Sequence, residues 1–521
     1  MQSTGASLRR SLSVGTVVVL AGLACGADWP QWGRTPQRDM VSSERGLPDT
    51  FEPVRQSAAT RSATAPTTRP RHVKWYLPIG VRANATPVVA QGRVLMGSAT
   101  RPAASVRSSD QGAGLLQCVD EQTGQLLWQL RMPQLPEKLA PHSDSGYGLC
   151  STPAIDGDRA YLVSNRGEVL CLDLRGQSDG NDGPYTDEGV FLAGFDPKTA
   201  SPAPPVAVGK SDGDIVWLFD MIGQLKAHPH DGSSSSVLPH DGLLYVGTGN
   251  GKAKSDKDTL EPLAPSLIAL DMATGRLVAQ DRQQIGTRLL KGQWSSPALC
   301  QLNGKSLIVY GGGDGFCYAF EPARRSADGT VSELTLAWRT DANPPQYRQR
   351  DGQDIPYKKG SRDGPSEIVG TPVCVDGLIY VTVGRDPAYG PGEGCLTCLD
   401  ARTGEVRWRY TGLARTVSTV ALAGELLFAA DQTGALHCLD PMTGKPHWQQ
   451  RVGTNIWSSP LVADGKVFVG TSQGLSIIPA TRAVERHRAI GMGPVVSSPI
   501  AANGVLFVAS QQMLYAVHAR E

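Results

Sequence analysis

Short apolar runs, separated by Gly and Asp turns, repeat along most of the chain. The plainest copy of the unit spans Ser418 to Trp448, where four such runs follow one another. Runs of about four to six residues bounded by turn residues favour strands over helices. The hydrophobic pattern therefore predicts a repeated unit of four short antiparallel strands.

Three sequence marks recur in the units. A Ser or Thr, usually followed by Pro, opens each one, at Thr86, Thr152, Ser236, Ser296, Thr371, Thr419, Ser459 and Ser498. An Asp-x-x-Thr-Gly turn follows the third run at 120–124, 271–275, 400–404 and 440–444. Its Asp can accept hydrogen bonds within the turn, and its Gly can supply a positive φ. Closing tryptophans follow at Trp128, Trp217, Trp338, Trp408 and Trp448.

Eight openings, spaced by about 40 residues where insertions are absent, predict an all-β, eight-bladed β-propeller of four-stranded antiparallel blades. The last unit, from Ser497 to His518, lacks a closing run, whereas residues 73–77 resemble one and precede the first opening. We therefore expect an N-terminal strand to complete the last blade. The propeller should occupy residues 71–521, as a monomeric ring.

The residues before the propeller predict export. Residues 1–27 have the charges, apolar core and small-residue cleavage region of a signal peptide, and the apolar run is too short to span a membrane. Cys25 leaves a lipid-anchored form as an alternative. Residues 28–70 should form an N-terminal segment in which 28–34 dock on the ring and 41–71 are a flexible tether. We expect the protein in the periplasm or secreted, with no transmembrane segment in the mature chain.

The charge balance and the cysteine positions reduce the range of possible functions. The 50 Lys and Arg residues nearly balance the 49 Asp and Glu residues, so the chain has no electrostatic footprint for nucleic acid. Cys118, Cys171, Cys398 and Cys438 share one position of the repeat with Ala319 and Ala516. Alternation of Cys with Ala predicts a small buried apolar position rather than a metal or haem site.

The repeat resembles the quinoprotein alcohol dehydrogenase-like propellers, on the Ser/Thr-Pro openings, the Asp-x-x-Thr-Gly turns and the closing tryptophans. This family includes enzymes that use pyrroloquinoline quinone (PQQ) with calcium. It also includes the non-catalytic propeller subunit of the bacterial outer-membrane β-barrel assembly machinery. Proteins that share one fold often have different functions, so the resemblance leaves the activity open.

The catalytic set that the resemblance implies is incomplete. Asn250, in Tyr-Val-Gly-Thr-Gly-Asn, matches the Asn ligand of calcium in the dehydrogenases, and Trp294 matches a conserved Trp of theirs by pattern. Ser295 stands where these enzymes have their Asp base, and a hydroxyl cannot accept the alcohol proton without a base of its own. Glu168 is a poor counterpart of the calcium Glu, and no adjacent cysteine pair occurs.

We expect a site on the axial loops, which lead from one blade to the next and converge in propellers. The candidate cofactor-binding residues there are Asn250, Trp294, Glu367, Arg415 and Trp457, with Asn250 also a metal ligand if calcium and PQQ bind. His228, His230 and Asp231 form a separate candidate metal group. The prediction is a binding or scaffold module for an envelope protein or a small ligand, without a cofactor; the alternatives are a divergent PQQ- and calcium-dependent dehydrogenase and a glycan-binding propeller.

Overall fold

The computed structural model describes residues 27–54, 70–100, 112–140, 147–196, 198–252 and 258–519. They form eight blades of four antiparallel strands each, so the predicted eight-bladed propeller is confirmed. The strands of blades 1 to 4 are Val88–Ala90, Arg93–Ala99, Ala113–Asp120 and Leu126–Pro133; Ala154–Asp156, Arg159–Val163, Glu168–Asp173 and Asp214–Asp220; Leu238–His240, Leu243–Gly247, Leu267–Asp271 and Leu277–Gln280; Ala298–Leu302, Lys305–Gly311, Phe316–Phe320 and Leu336–Asp341. Those of blades 5 to 8 are Val373–Val375, Leu378–Val383, Cys395–Asp400 and Val406–Tyr410; Ala421–Ala423, Leu426–Ala430, Ala435–Leu439 and Pro446–Arg451; Leu461–Ala463, Lys466–Thr471, Gly474–Pro479 and Arg488–Gly491; Ile500–Ala502, Val505–Ala509, Met513–Val517 and Val73–Pro78.

Closure of the ring is by strand pairing between the two ends of the propeller. Val73–Pro78 pairs antiparallel with Met513–Val517 and forms the outer strand of blade 8, as predicted. The first and last parts of the propeller are thereby joined through backbone hydrogen bonds. A ring closed in this way leaves no seam at which its ends could separate.

Closing tryptophans join a blade to the next at six of the eight junctions of the ring, four of them through an Asp-x-x-Thr-Gly turn. The indole of Trp408 in blade 5 donates to Pro441 O in the turn of blade 6, at 3.0 Å. Gly444 of the same turn has φ +68°, and a Cβ there would lie 2.4 Å from the Trp408 ring. Five other tryptophans donate in the same way, in the pairs Trp75 with Glu121 O, Trp128 with Leu174 O, Trp217 with Met272 O, Trp338 with Ala401 O and Trp448 with Thr481 O. Only glycine lets the turn backbone lie this close to the indole.

The small residue predicted on the third strand lies opposite the tryptophan. The register pairs are Cys118 with Trp128, Cys171 with Trp217, Cys398 with Trp408, Cys438 with Trp448, Ala319 with Trp338 and Ala516 with Trp75. The four cysteines are at most 1% exposed. The indole and a larger partner would compete for the same space, so the position accepts only a small side chain.

The opening hydroxyls form a belt around the ring axis. Seven backbone N–H groups donate to the hydroxyl of the next blade at 2.8–3.1 Å, in the order Thr86 to Thr152, Thr152 to Ser236, Ser236 to Ser296, Thr371 to Thr419, Thr419 to Ser459, Ser459 to Ser498 and Ser498 to Thr86. Between blades 4 and 5, Thr371 Oγ1 accepts from Trp32 Nε1 at 2.9 Å instead. The Ser/Thr of the repeat is therefore a circular hydrogen-bonding element.

The N-terminal segment 29–42 lies across the innermost strands. Its backbone carbonyls accept from successive blades, namely Trp29 O from Val89 N, Pro30 O from Ile155 N, Pro36 O from Leu299 N, Gln37 O from Cys374 N, Asp39 O from Leu422 N and Met40 O from Val462 N. Ser42 Oγ donates to Ala501 O of blade 8. Each of these blade residues lies three positions after a belt hydroxyl. We call residues 29–42 the axial plug, because they cover the end of the channel beyond the belt.

Arg38 anchors the axial plug at its centre. Its side chain is fully buried and donates to Pro297 O at 3.2 Å and Val237 O at 2.9 Å, in blades 4 and 3. It also donates to Gln31 Oε1 and Trp32 O within the plug. Burial lowers the pKa of Arg38 to about 9, so the guanidinium is charged at neutral pH.

Residues 43–54 differ from the sequence expectation. Leu47 and Phe51 are each 3% exposed and belong to a core that includes strands of blades 7 and 8. The expected flexible tether is therefore wrong for residues 41–54, because these apolar side chains pack on the ring. Residues 55–69 of that tether, and residues 1–26 of the predicted signal peptide, lie outside the described residues.

Among the described residues, helical structure is short and lies in loops and insertions. The helices are Glu188–Ala193, Met221–Leu225 and Pro345–Arg348, and the 3₁₀ turns are Gly176–Ser178, Ile285–Arg288 and Pro387–Tyr389. Ser332–Glu333 extends blade 3 in parallel, and Gln349–Arg350 pairs with Gln353–Asp354 in a small hairpin. In the described part of the chain, no helix has both the length and the apolar character needed to cross a membrane.

Candidate functional site: the axial cavity

A cavity of about 240 Å³ lies on the ring axis, between the axial plug and the loops that precede the first strands. The eight belt residues line it, and Trp32 of the plug contributes to the same wall. Trp294 and Trp457, each two residues before a belt serine, lie on the loop side. Since the plug crosses the strands three residues after the belt, the cavity is covered on that side and faces the loops. We call this space the axial cavity.

Aromatic side chains form much of the wall. Trp457 is 38% exposed, and it is the most exposed tryptophan of the described chain. Trp294 is held by a hydrogen bond from its Nε1 to His230 O at 3.0 Å, with the two rings 6.1 Å apart. Tyr147 lies beneath the guanidinium of Arg82, 5.2 Å from the ring centroid. Fixed rings of this kind offer apolar contact area with little entropy to lose on binding.

Two carboxylates lie among the aromatic residues. Asp231 and Asp386 both line the axial cavity. Burial raises the pKa of Asp386; the charges of Lys291 and His230 act against that rise, and the charge of Asp231 adds to it. Asp386 Oδ1 accepts from Ala388 N at 2.8 Å, which fixes the carboxylate at the start of a 3₁₀ turn. The wall can therefore accept hydrogen bonds from a polar occupant at these two points.

Glu367 and Arg415, two of the predicted site residues, lie behind the wall. Glu367 is fully buried, and its Oε1 accepts from Asp386 N at 2.7 Å and from Tyr357 Oη at 3.1 Å. Burial raises the pKa of Glu367 to about 7. Arg415 Nη1 donates to Pro387 O at 3.4 Å. Both residues thus position the Asp386–Pro387 segment of the wall rather than line the axial cavity.

Asn250 does not line the axial cavity and has no free amide group. Its Nδ2 donates to Glu261 O and Ala264 O, both at 2.9 Å. Its Oδ1 accepts from Ser266 Oγ at 3.1 Å and from Gln293 Nε2. A carboxamide oxygen has two lone pairs, and here both are occupied. Asn250 therefore holds the loop at 261–266 and cannot ligate calcium without losing these bonds.

The other positions of the implied catalytic set do not fit calcium and PQQ either. Ser295 Oγ donates to Gly370 O at 3.0 Å. Glu168 forms an ion pair with Arg166 at 2.8 Å and accepts from Ser164 Oγ at 2.9 Å. Calcium needs several oxygen ligands that converge on one point. The carboxylate and amide groups that the resemblance assigns to calcium are instead engaged in separate hydrogen-bonded networks.

The other candidate metal groups give little support for a metal site. Within the described ranges, one group of three possible ligands has its atoms within 4.8 Å of one another, and it consists of Asp173, Asp179 and Asp182. Arg175 bridges these carboxylates, at 2.8 Å from Asp179, so an internal cation already compensates their charge. His230 Nε2 lies 3.7 Å from Asp231 Oδ2, but the pair is not part of a three-ligand group.

Several residues of the axial cavity were not among the candidates predicted from the sequence. Trp32, Asp386 and Cys150 line it, although none was a candidate. Asp386 lies on the loop between the second and third strands of blade 5, whereas the predicted site residues were expected on the loops that precede the openings. Trp32 comes from the axial plug, whose path across the ring leaves no repeat signal in the sequence.

Comparisons with known proteins agree with this fold. A family model described as outer membrane protein assembly factor BamB matches residues 65–189 and 392–486. The structure of BamB from Moraxella catarrhalis is 14% identical, with 86% of this chain and 97% of that chain covered and a TM-score of 0.49. A europium-containing methanol dehydrogenase is 13% identical, with coverages of 92% and 89% and a TM-score of 0.53.

A third similar structure is the quinohemoprotein alcohol dehydrogenase from Comamonas testosteroni, which is 15% identical, with coverages of 95% and 80% and a TM-score of 0.45. No curated protein matches the sequence. The family-model match and the fold shared with the methanol dehydrogenase confirm the resemblance to the PQQ-like propeller repeat family. At 13% identity, that structure shows the fold and not the activity.

Proposed function

We propose that this PQQ-like propeller is a binding or scaffold module outside the cytoplasm, with its binding site at the axial cavity and the loops around it. The observation that carries the proposal is a one-sided cavity with aromatic walls on a rigid ring, next to a catalytic set whose members are engaged elsewhere. Concave, largely apolar sites with a few fixed polar groups are typical of binding sites.

The loop face also fits a protein partner. Trp457 is more than one-third exposed beside the axial cavity, and exposed tryptophans are frequent energetic centres of interfaces. The partial match to the BamB family model and the expected signal peptide support a partner in the bacterial envelope. Loops carried by a rigid scaffold can vary without loss of the fold, which suits a recognition surface.

The test compares binding by the wild type and by cavity variants. Purified full-length protein is used to capture partners from an envelope extract and to titrate small ligands by tryptophan fluorescence. Trp457→Ala and Trp294→Ala should weaken binding at least ten-fold if each indole is a contact. Met442→Ala is the matched control, because Met442 is 69% exposed in an outer turn of blade 6, remote from the axial cavity.

The outcomes separate the candidate functions. Loss of binding in the tryptophan variants, with binding retained by Met442→Ala, supports the proposal. Equal binding by all variants places the interface elsewhere and refutes the axial site. Tight binding of PQQ with calcium, followed by dye-coupled oxidation of an alcohol or sugar, would replace the proposal with the divergent dehydrogenase.

A further inference from the structure

Two thiols from neighbouring blades meet in the apolar core between blades 4 and 5. Cys300 lies in the first strand of blade 4 and Cys374 in the first strand of blade 5, at 1% and 2% exposure. Both belong to one core cluster, whereas Leu299 and Val373 beside them belong to the clusters on the other faces of their blades. The two cysteine side chains therefore both point into the core between blades 4 and 5 and face each other across the interface.

The axial plug holds the two strands together at this level. Leu299 N donates to Pro36 O at 2.8 Å, and Cys374 N donates to Gln37 O at 3.0 Å. Consecutive carbonyls of one chain are only a few ångströms apart, so they draw the cysteine-bearing parts of both strands to the same place. The plug thus fixes how closely the two cysteine-bearing strands approach each other.

We propose that Cys300 and Cys374 form a disulfide that joins blade 4 covalently to blade 5. A bound metal ion is a poorer use of the pair. Cys317 lies in the same core, yet the three sulfurs do not form a group within 4.8 Å among the described residues. Burial raises the pKa of the Cys374 thiol, with the charge of Arg38 acting against that rise, and a buried guanidinium beside the pair repels a metal cation.

The reaction is thiol–disulfide exchange with a small-molecule or protein disulfide as oxidant. The Cys300 thiolate attacks one sulfur of the oxidant, a mixed disulfide forms, and the first thiolate leaves. The Cys374 thiolate then attacks Cys300 Sγ and releases the second thiolate. The two protons of the cysteine thiols pass, through solvent, to the two released thiolates, so that the two electrons lost by the cysteines reduce the oxidant to two thiols. Because both sulfurs are buried, the exchange must occur during folding or through an opening between the two blades.

The cross-link would close the chain between residues 300 and 374. In the loop-entropy relation, a loop of this length lowers the equilibrium constant for unfolding about a thousand-fold. It would also fix the two blades on which Pro36 and Gln37 of the axial plug rest. The disulfide therefore ties the stability of the covered end of the ring to the redox state of its surroundings.

The test is a thiol map of the full-length protein. The chain is refolded with reduced and oxidised glutathione, quenched with acid, denatured and alkylated, and its peptides are analysed by mass spectrometry without reduction. One peptide that links Cys300 to Cys374 is expected, with the other cysteines alkylated. Dithiothreitol should remove the link and lower the denaturation midpoint of the wild type, but not that of the Cys300→Ser/Cys374→Ser variant.

Matched variants make the result specific. Cys300→Ser should leave Cys374 alkylated, whereas Cys118→Ser, at a buried cysteine of blade 1, should leave the link intact. Alkylation of both Cys300 and Cys374 in correctly refolded wild type would overturn the proposal. A link from either residue to Cys317 would overturn it as well.

Discussion

Replacement of Arg38 by Met tests whether the axial plug is held by its buried guanidinium. The methionine keeps most of the apolar stem, so the change isolates the polar contacts. Three backbone carbonyls lose their charged donor, at Pro297, Val237 and Trp32. A buried carbonyl left unpaired costs about 1–3 kcal/mol. Part of the total loss is offset, because the variant no longer has to bury a charge. We expect a net loss of about 3 kcal/mol in the free energy of unfolding.

Denaturant unfolding followed by tryptophan fluorescence measures that loss. Hydrogen exchange adds a local readout, because the amides of Leu299, Cys374 and Leu422 donate to carbonyls of the axial plug. These three amides should exchange faster in Arg38→Met if the plug detaches. Arg34→Met is the control in the same segment; Arg34 makes one side-chain hydrogen bond, to Val41 O, and should lose no more than about 1.5 kcal/mol. A loss below about 1 kcal/mol for Arg38→Met, with unchanged exchange, would refute the anchoring role.

Three further predictions concern the belt, the turns and pH. Thr419→Val leaves the buried N–H of Thr371 unpaired and should lower the free energy of unfolding by about 1–3 kcal/mol, measured by thermal unfolding. Thr419→Ser keeps the acceptor, so equal losses in the two variants would contradict the stabilising role of the belt hydroxyl. Gly444→Ala, at a positive φ and against Trp408, should lower the free energy of unfolding by about 2–4 kcal/mol; an unchanged midpoint in thermal unfolding would refute the close packing of this turn on the indole. Folding raises the pKa of Glu367 from 4.5 to about 7, so the folded state holds the carboxyl proton more tightly than the unfolded state does. The free energy of unfolding should therefore fall by about 3 kcal/mol as pH rises between those two values. Glu367→Gln should flatten this pH profile, and an unchanged profile would contradict the assignment to Glu367.

The candidate site was only partly visible in the sequence. Trp294 and Trp457 could be placed on the axial cavity because their distance from the belt serines repeats between blades. Asn250 matched a ligand motif, yet its amide is used by Glu261, Ala264, Ser266 and Gln293, which no motif could show. A motif fixes residue types along one segment, whereas hydrogen-bond partners come from segments that meet only after folding.

The ring could be predicted from repeated local sequence marks. Eight openings, the Asp-x-x-Thr-Gly turns, the small buried Cys/Ala positions and the missing last strand all follow from local periodicity, because each blade repeats the same short-range pairing. The covering of the ring axis could be seen only in the folded chain. The path of residues 29–42, the burial of Arg38, the meeting of Cys300 with Cys374 and the role of Asp386 depend on contacts between distant segments, which leave no periodic trace. The repeated sequence marks specify the blades, whereas the packing of the axial plug across the ring, which is not repeated, closes one end of the channel and makes it a one-sided cavity.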